Sequence, residues 1–329
     1  MLEFAVDLGS SNITIYQKGM GLVLREPNMA LLSGEGDVLR EAGYKAKSTH
    51  VSTLGSSKPA FPVKEGVIVD LDTAILVVGE FFKKVLPQSF IRPKFSVLAI
   101  VSAAMNTEER KMAEKLFSKL VASSVYVCDS PLALYEYTGT IGGLFVDIGG
   151  GKTEVHAVSG EGIVAGCTVN IAGDAFTNAI IDYIADTYYI KIGDITAEKL
   201  KCESLSFYQN DQGSDFISGT GLSDGMPKNA EIKANDLFFA IAPLIDDLVD
   251  VISSVLGATP PELAAEIMKK GFFITGASSQ IAGLSQYLAD RLGLYCTVLD
   301  DVENAAALGG GKFLDNMATL SSLIGVQLD

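Results

Sequence analysis

Positive charge is what this chain lacks most. Its 329 residues carry 25 Lys and Arg against 40 Asp and Glu, a formal net charge of −15. Phosphate backbones are gripped by clustered Lys and Arg, so nucleic acid is excluded as the main partner. The same deficit argues against a purely electrostatic hold on an anionic membrane. Histidine is scarce, with only His50 and His156, and the four cysteines (Cys128, Cys167, Cys202, Cys296) form no Cys-x-x-Cys pair. These counts exclude an ordinary zinc site and read as reduced, mostly buried thiols of a cytoplasmic protein. No run of 18 apolar residues exists, so no membrane-spanning helix is expected. No early segment has the basic-then-apolar plan of a leader, and a strand beginning near residue 3 leaves no room for an amphipathic anchor helix.

What is there in quantity is apolar residue, 48% of a chain long enough for two domains. Within it, Leu144–Val155 stands out: an apolar run, Asp147, three glycines, then Thr153-Glu154-Val155-His156-Ala157 in alternation. The pattern predicts a β-hairpin turning at Gly149-Gly150-Gly151. Glycine lets backbone N–H groups converge on a ligand, which suits a phosphate, and a carboxylate at the strand end suits a hydrated Mg²⁺. By itself the segment is equally well an ordinary glycine-rich turn. A second copy lies 140 residues earlier, where Asp7 answers Asp147, Gly9 answers Gly149, and Ser10-Ser11 answer Gly150-Gly151. A repeated strand–turn–strand unit predicts two related halves whose hairpins grip a polyphosphate from both sides.

Between the copies, Phe95–Val101, the helix after Asn106, Val125–Cys128 and the helix opened by Pro131 predict a parallel-sheet unit. Asn106 and Glu109 form a capping-box pattern. Two polar segments, 33–65 and 187–234, read as inserted subdomains. After the second copy, Asp174 is expected to cap a helix, and Asn235–Leu256 is a long amphipathic helix. The strand Phe272–Thr275 runs into Gly276-Ala277-Ser278-Ser279 and then a helix Gln280–Leu292, a third edge suited to a ligand. Tyr295–Leu299 is read as a strand and Asn304–Leu314 as a closely packed helix, although Gly309-Gly310-Gly311 weakens the helix expectation. In the Pro-bounded loop Pro87–Lys94, Phe90 and Ile91 either tuck into the core or dip into a bilayer. His156, in an alternating strand, is read as structural.

The segments Asp7–Asn12, Lys64–Asp70, Val146–Val155, Ile171–Asp174, Ile192–Glu198, Ser218-Gly219 with Gly225-Met226-Pro227, and Thr259–Leu263 together resemble the actin/sugar-kinase/heat-shock-chaperone ATPase superfamily, and within it the MreB family of bacterial actins. The resemblance covers nearly the whole chain. It implies an α/β, actin-like, two-lobed fold, ribonuclease H-like and duplicated, with four subdomains. Residues 1–32, 66–140 and 313–329 would form subdomain IA and 33–65 subdomain IB. Residues 141–186 and 235–312 would form IIA, and 187–234 IIB. It implies ATP in the cleft with Mg²⁺. Gly9, Ser10, Ser11, Asn12, Gly149, Gly150 and Gly151 would hold phosphate, while Asp7 and Asp147 order the metal's waters. Glu198, Lys199 and Lys201 would meet ribose and adenine, with Gly276, Ala277, Ser278 and Ser279 lining the other side. It implies self-assembly into filaments at the inner face of the cytoplasmic membrane, an anchoring role for Phe90 and Ile91, and membrane-bound morphogenesis partners in cell shape and wall synthesis.

Three departures matter. The family has Glu directly before Pro131, where it positions the attacking water; here the residue is Ser130, with Asp129 one place earlier. A neutral hydroxyl is a poor base. Thr follows the three glycines in the family; here it is Lys152, which either reaches the γ-phosphate or swings into solvent. Ala277 and Ser278 stand where glycines are usual. Nucleotide binding with slow hydrolysis is therefore expected, with Asp129, Ser130 and Lys152 the residues on which hydrolysis turns. Two other readings stay open: a paralogue that binds nucleotide and co-assembles with an active family member, and a kinase or chaperone-type ATPase on the same fold.

Overall fold

The computed structural model describes residues 1–33, 38–52, 57–89, 93–208 and 211–324. The expected membrane loop, Phe90 and Ile91, lies outside them.

The first half opens with β1 (Leu2–Leu8), β2 (Asn12–Gln17) and β3 (Gly21–Pro27), an antiparallel meander. A small sheet follows from β4 (Ala30–Ser33), β5 (Leu39–Ala42) and β6 (Ser57–Ala60), with α1 (Gly43–Ser52) between the last two. The short hairpin β7 (Val63–Lys64) and β8 (Val67–Ile68) leads to α2 (Leu71–Val85), whose N-terminus is capped by Asp70. Then come β9 (Phe95–Val101), α3 (Thr107–Lys119), β10 (Ser124–Asp129) and α4 (Ser130–Thr138). Every residue of β9 is buried, as expected of a strand covered on both faces. Both halves of the capping box form: Asn106 Oδ1 accepts from Glu108 and Glu109 N–H, and Glu109 Oε2 accepts from Asn106 N–H at 2.8 Å.

The second half repeats the plan. The meander is β11 (Gly142–Ile148), β12 (Thr153–Ser159) and β13 (Gly162–Val169). After α5 (Gly173–Tyr188), a second small sheet forms from β14 (Ile190–Lys191), β15 (Ser214–Gly221) and β16 (Pro227–Lys233), with α6 (Asp194–Glu203) inserted. The chain returns through α7 (Ala234–Ala258), α8 (Pro261–Lys270), β17 (Phe272–Thr275), α9 (Leu284–Leu292), β18 (Cys296–Val298), α10 (Ala305–Asp315) and α11 (Met317–Ile324). The two main sheets have matching strand orders, β10-β9-β1-β2-β3 and β18-β17-β11-β12-β13. In each, two parallel strands extend the sheet beside the meander's first strand. The repeat seen in two short motifs is thus a repeat of whole sheets, the duplicated actin-like architecture.

One core packs the first sheet against α2 and α3, where Phe82 stacks on Phe95 at 5.1 Å and meets Phe4 edge-on at 5.5 Å. Another fills the second half. A third lies between the halves and joins α4 and α10 to both sheets through Ala5, Leu132, Phe145 and Phe313. The glycines that weakened the α10 expectation have a packing reason. A Cβ on Gly309 would stand 1.8 Å from the Ala133 carbonyl oxygen, so only glycine lets α10 lie this close to α4.

Three local expectations are corrected. Asp174 does not cap α5; Ala172 is the N-cap, and the first amides, Gly173 and Asp174 N–H, donate to the Gly149 and Gly150 carbonyls at 3.1 and 2.7 Å. The helix read from Gln280 is a 3₁₀ turn (Ala277–Gln280) and a separate α9, because Gly283 adopts φ +76° between them. The last strand is only Cys296–Val298 rather than Tyr295–Leu299.

Candidate functional site

The two hairpin turns face each other across a cleft of about 540 Å³. Their approach is close: a Cβ on Gly150 would lie 1.9 Å from Ser11 Oγ, and one on Gly151 3.2 Å from Ser10. Each turn is fixed from behind. Asn28 donates to the Gly9 carbonyl at 2.9 Å, while Ser278 Oγ donates to the Gly149 carbonyl at 2.8 Å. The β7–β8 turn closes a third side, with Gly66 N–H donating to Ser10 Oγ at 2.8 Å. Concave, glycine-lined walls with backbone amides at hand suit an anionic ligand.

Asp7 and Asp147 line this cleft from corresponding strands. Burial pushes Asp7 up to about 6, with Lys152 opposing the shift. Burial, then the charge of Glu154, pushes Asp147 up to about 7, again against Lys152. A cation held between two such carboxylates would favour their ionised forms, so the pair fits one. Among the described residues no group of three or more His, Cys, Asp or Glu is placed to ligate a metal.

Lys152 does not swing into solvent; it lines the cleft and is largely buried. Its ammonium pairs with Glu154, and its stem lies over Gly66. Glu154 is a buried carboxylate that motif reading passed over. Its Oε1 accepts from Ser102 Oγ and from Ala103 N–H, both at 2.9 Å. Burial favours its neutral form, but Lys152, His156 and the Ala103 amide together hold it below the usual glutamate range. A signal was present: Glu154 stands directly opposite Asp147 in the β11–β12 register. Facing carboxylates on one side of a sheet repel each other unless a cation is near, and the Lys152 ammonium pairs with Glu154.

At the start of α4 the structure separates neighbours. Ser130 lines the cleft. Asp129 lines a different cavity of about 450 Å³ and is bound by Arg110 Nη2 at 2.5 Å. Burial raises Asp129 despite that partner.

Another wall of the cleft is built by Glu198 and Lys201 on α6 and by Gly276, Ala277 and Ser278, with Lys201 and Ser278 close beside the Gly149–Gly151 turn. Lys201 is buried; it donates to Glu198 at 2.6 Å, the Gly173 carbonyl at 2.9 Å and Thr177 Oγ1 at 3.0 Å. Lys199 points away, toward Glu203 and Asp215 at 3.7 and 3.8 Å. Ser279 is buried, its hydroxyl donating to the Gly276 carbonyl at 2.7 Å. Tyr44 and Lys47 on α1 and Arg25 on β3 also line the cleft, and motif reading named none of them. His156 is buried within β12, but the cysteines are not mostly buried as expected: Cys128 is, whereas Cys167 and Cys202 are exposed and Cys296 is half-buried.

Known proteins converge on this arrangement. The sequence profile of the MreB/Mbl protein family matches residues 1–322. The cell shape-determining protein MreB of Escherichia coli K12 is 32% identical over 323 residues, covering 95% of this chain and 93% of that protein. The cell shape-determining protein Mbl of Bacillus subtilis is 29% identical and covers 97% of each. Among solved structures, MreB5 of Spiroplasma citri bound to AMPPNP superposes with a TM-score of 0.89 at 26% identity, covering 99% of both chains. A protomer of the MamK double helical filament gives 0.81 at 17% identity, a likeness of fold, covering 96% of this chain and 99% of that one. The chain belongs to the MreB/Mbl family.

Proposed function

We propose that this protein binds ATP between its two hairpin turns, assembles into filaments and hydrolyses the nucleotide slowly. Gly9–Asn12 and Gly149–Gly151 hold the phosphates, and the wall around Glu198, Lys201 and Gly276–Ser278 receives the nucleoside. Mg²⁺, ordered through water by Asp7 and Asp147, neutralises phosphate charge when bound. The solved relative MreB5 was crystallised with AMPPNP and with ADP, which supports nucleotide in this cleft. The relatives named as cell shape-determining proteins support a cytoskeletal role in cell shape and wall synthesis. The proposed site is peripheral, at the inner face of the cytoplasmic membrane. Phe90 and Ile91 would be its anchor and membrane-bound morphogenesis proteins its partners; among the described residues no helix is long and apolar enough to cross a membrane.

The observation that carries slow hydrolysis is the turn at β10–α4. The residue facing the cleft is a serine, and the adjacent carboxylate, Asp129, faces Arg110 on the other side. A positioned general base contributes about 10²–10⁴-fold to such a reaction. Phosphate release under assembly conditions tests it. Ser130→Glu is expected to raise the rate by about tenfold or more; an unchanged rate would sink the role given to this position. The same observation favours a second reading, a paralogue that co-assembles with an active relative. Sedimentation with and without such a partner separates the two.

A further inference from the structure

Glu154 spans the two lobes. It belongs to β12 of the second sheet, yet its Oε1 accepts from Ser102 Oγ and Ala103 N–H, both at 2.9 Å, in the turn after β9 of the first. Oε2 receives the Lys152 ammonium. Lys152 in turn lays its stem against Gly66 of the first lobe, where a Cβ would stand 2.7 Å from both Cδ and Cε. Both carboxylate oxygens are thus occupied inside the protein, and the charge is compensated at a site that is 3% exposed. Ser102 Oγ also accepts from Ala104 N–H at 3.2 Å, which fixes the receiving turn.

Lobes that close around a ligand are ordinarily drawn together by contacts each makes to it. Here a contact of comparable kind is supplied by the chain itself. We propose that Glu154 is a positioning residue: with Lys152 it fastens the second lobe to the Ser102–Ala103 turn of the first and holds the cleft closed whether or not a terminal phosphate is present. The functional meaning of that closure rests on the nucleotide-binding reading above. Because the ammonium carries three donors, Lys152 keeps Glu154 as a partner while directing another N–H into the cleft.

The Ala103 amide reports the latch directly, because its hydrogen-bond acceptor is Glu154. Amide hydrogen exchange on the full chain is measured without nucleotide, with ADP and with AMPPNP, alongside binding of a fluorescent ATP analogue. The expected result is Ala103 protection equal within about threefold in all three states. Fast exchange without nucleotide that slows about tenfold or more on adding ADP or AMPPNP would overturn the proposal. Glu154→Ala is expected to cut Ala103 protection by about tenfold or more, the loss of a charged acceptor, while Ala99 in β9 stays protected. Retained Ala103 protection in that variant would overturn it as well. Lys152→Met/Glu154→Gln keeps an acceptor without a buried charge and is expected to restore Ala103 protection; failure to do so counts against a latch made by this side chain. Absent analogue binding would sink the nucleotide reading and leave Ala103 to decide the latch on its own.

Discussion

Lys152 and Glu154 matter because each makes the other tolerable. An unpaired buried charge costs several kcal/mol, and removing one member of such a pair exposes that cost. Lys152→Thr is therefore expected to destabilise the nucleotide-free protein by about 2–4 kcal/mol, read from denaturant or thermal unfolding. Equal stability would mean the pair is loosely hydrated. The aspartates act in the opposite sense. Their folded pKa values, about 6 for Asp7 and about 7 for Asp147, exceed the ordinary 3.8, so between those limits the folded state holds more protons than the unfolded. Their contribution to stability falls as pH rises from about 4 to 7 in metal- and nucleotide-free protein. Glu154, held low, adds stability above the ordinary glutamate value that is lost as pH falls through its folded pKa. Asp147→Asn is expected to flatten the slope between about pH 5 and 7 and to stabilise the bare protein near pH 7.5 by about 1 kcal/mol. An unaltered melting-temperature profile would contradict that assignment. The direction of Asp129 was not legible in the sequence, because it depends on Arg110, 19 residues earlier in the chain yet hydrogen-bonded to it in the fold. The opposed pair Asp147–Glu154 was legible, once the hairpin register was taken seriously.

At the scale of elements, most of what local chemistry governs could be read directly. The hairpins, the capping box and the buried strand β9 follow from short-range pattern and hydrogen bonding. What escaped reading depended on tertiary contact. The first amides of α5 are satisfied by carbonyls of the Gly149–Gly151 turn instead of by Asp174, so the helix start and the glycine turn are one construction. The α10 glycines look like helix breakers until α4 is placed against them. Gly309→Ala would drive a methyl into the Ala133 carbonyl, and it is expected to cost about 3 kcal/mol or more or to prevent folding. A melting temperature within a degree or two of the parent would show that α4 shifts away freely.

For the molecule as a whole, duplication explains the architecture: two sheets of one plan, a turn from each meeting at the cleft, and α4 with α10 between them. Net charge of −15 makes any membrane association depend on apolar insertion more than on lipid charge. Phe90→Ala/Ile91→Ala is accordingly expected to abolish co-sedimentation with vesicles, and raising salt to leave the parent's binding largely intact. Vesicle binding unchanged in the double variant would remove the anchoring role. In the proposed function filaments form with ATP that is cut only slowly. Its most direct test is the nucleotide content of pelleted filaments, followed over time with phosphate release. Filaments are expected to retain ATP and to release phosphate about 10²-fold more slowly than a family member with Glu and Thr at positions 130 and 152. Filaments filled with ADP at that relative's rate would contradict it.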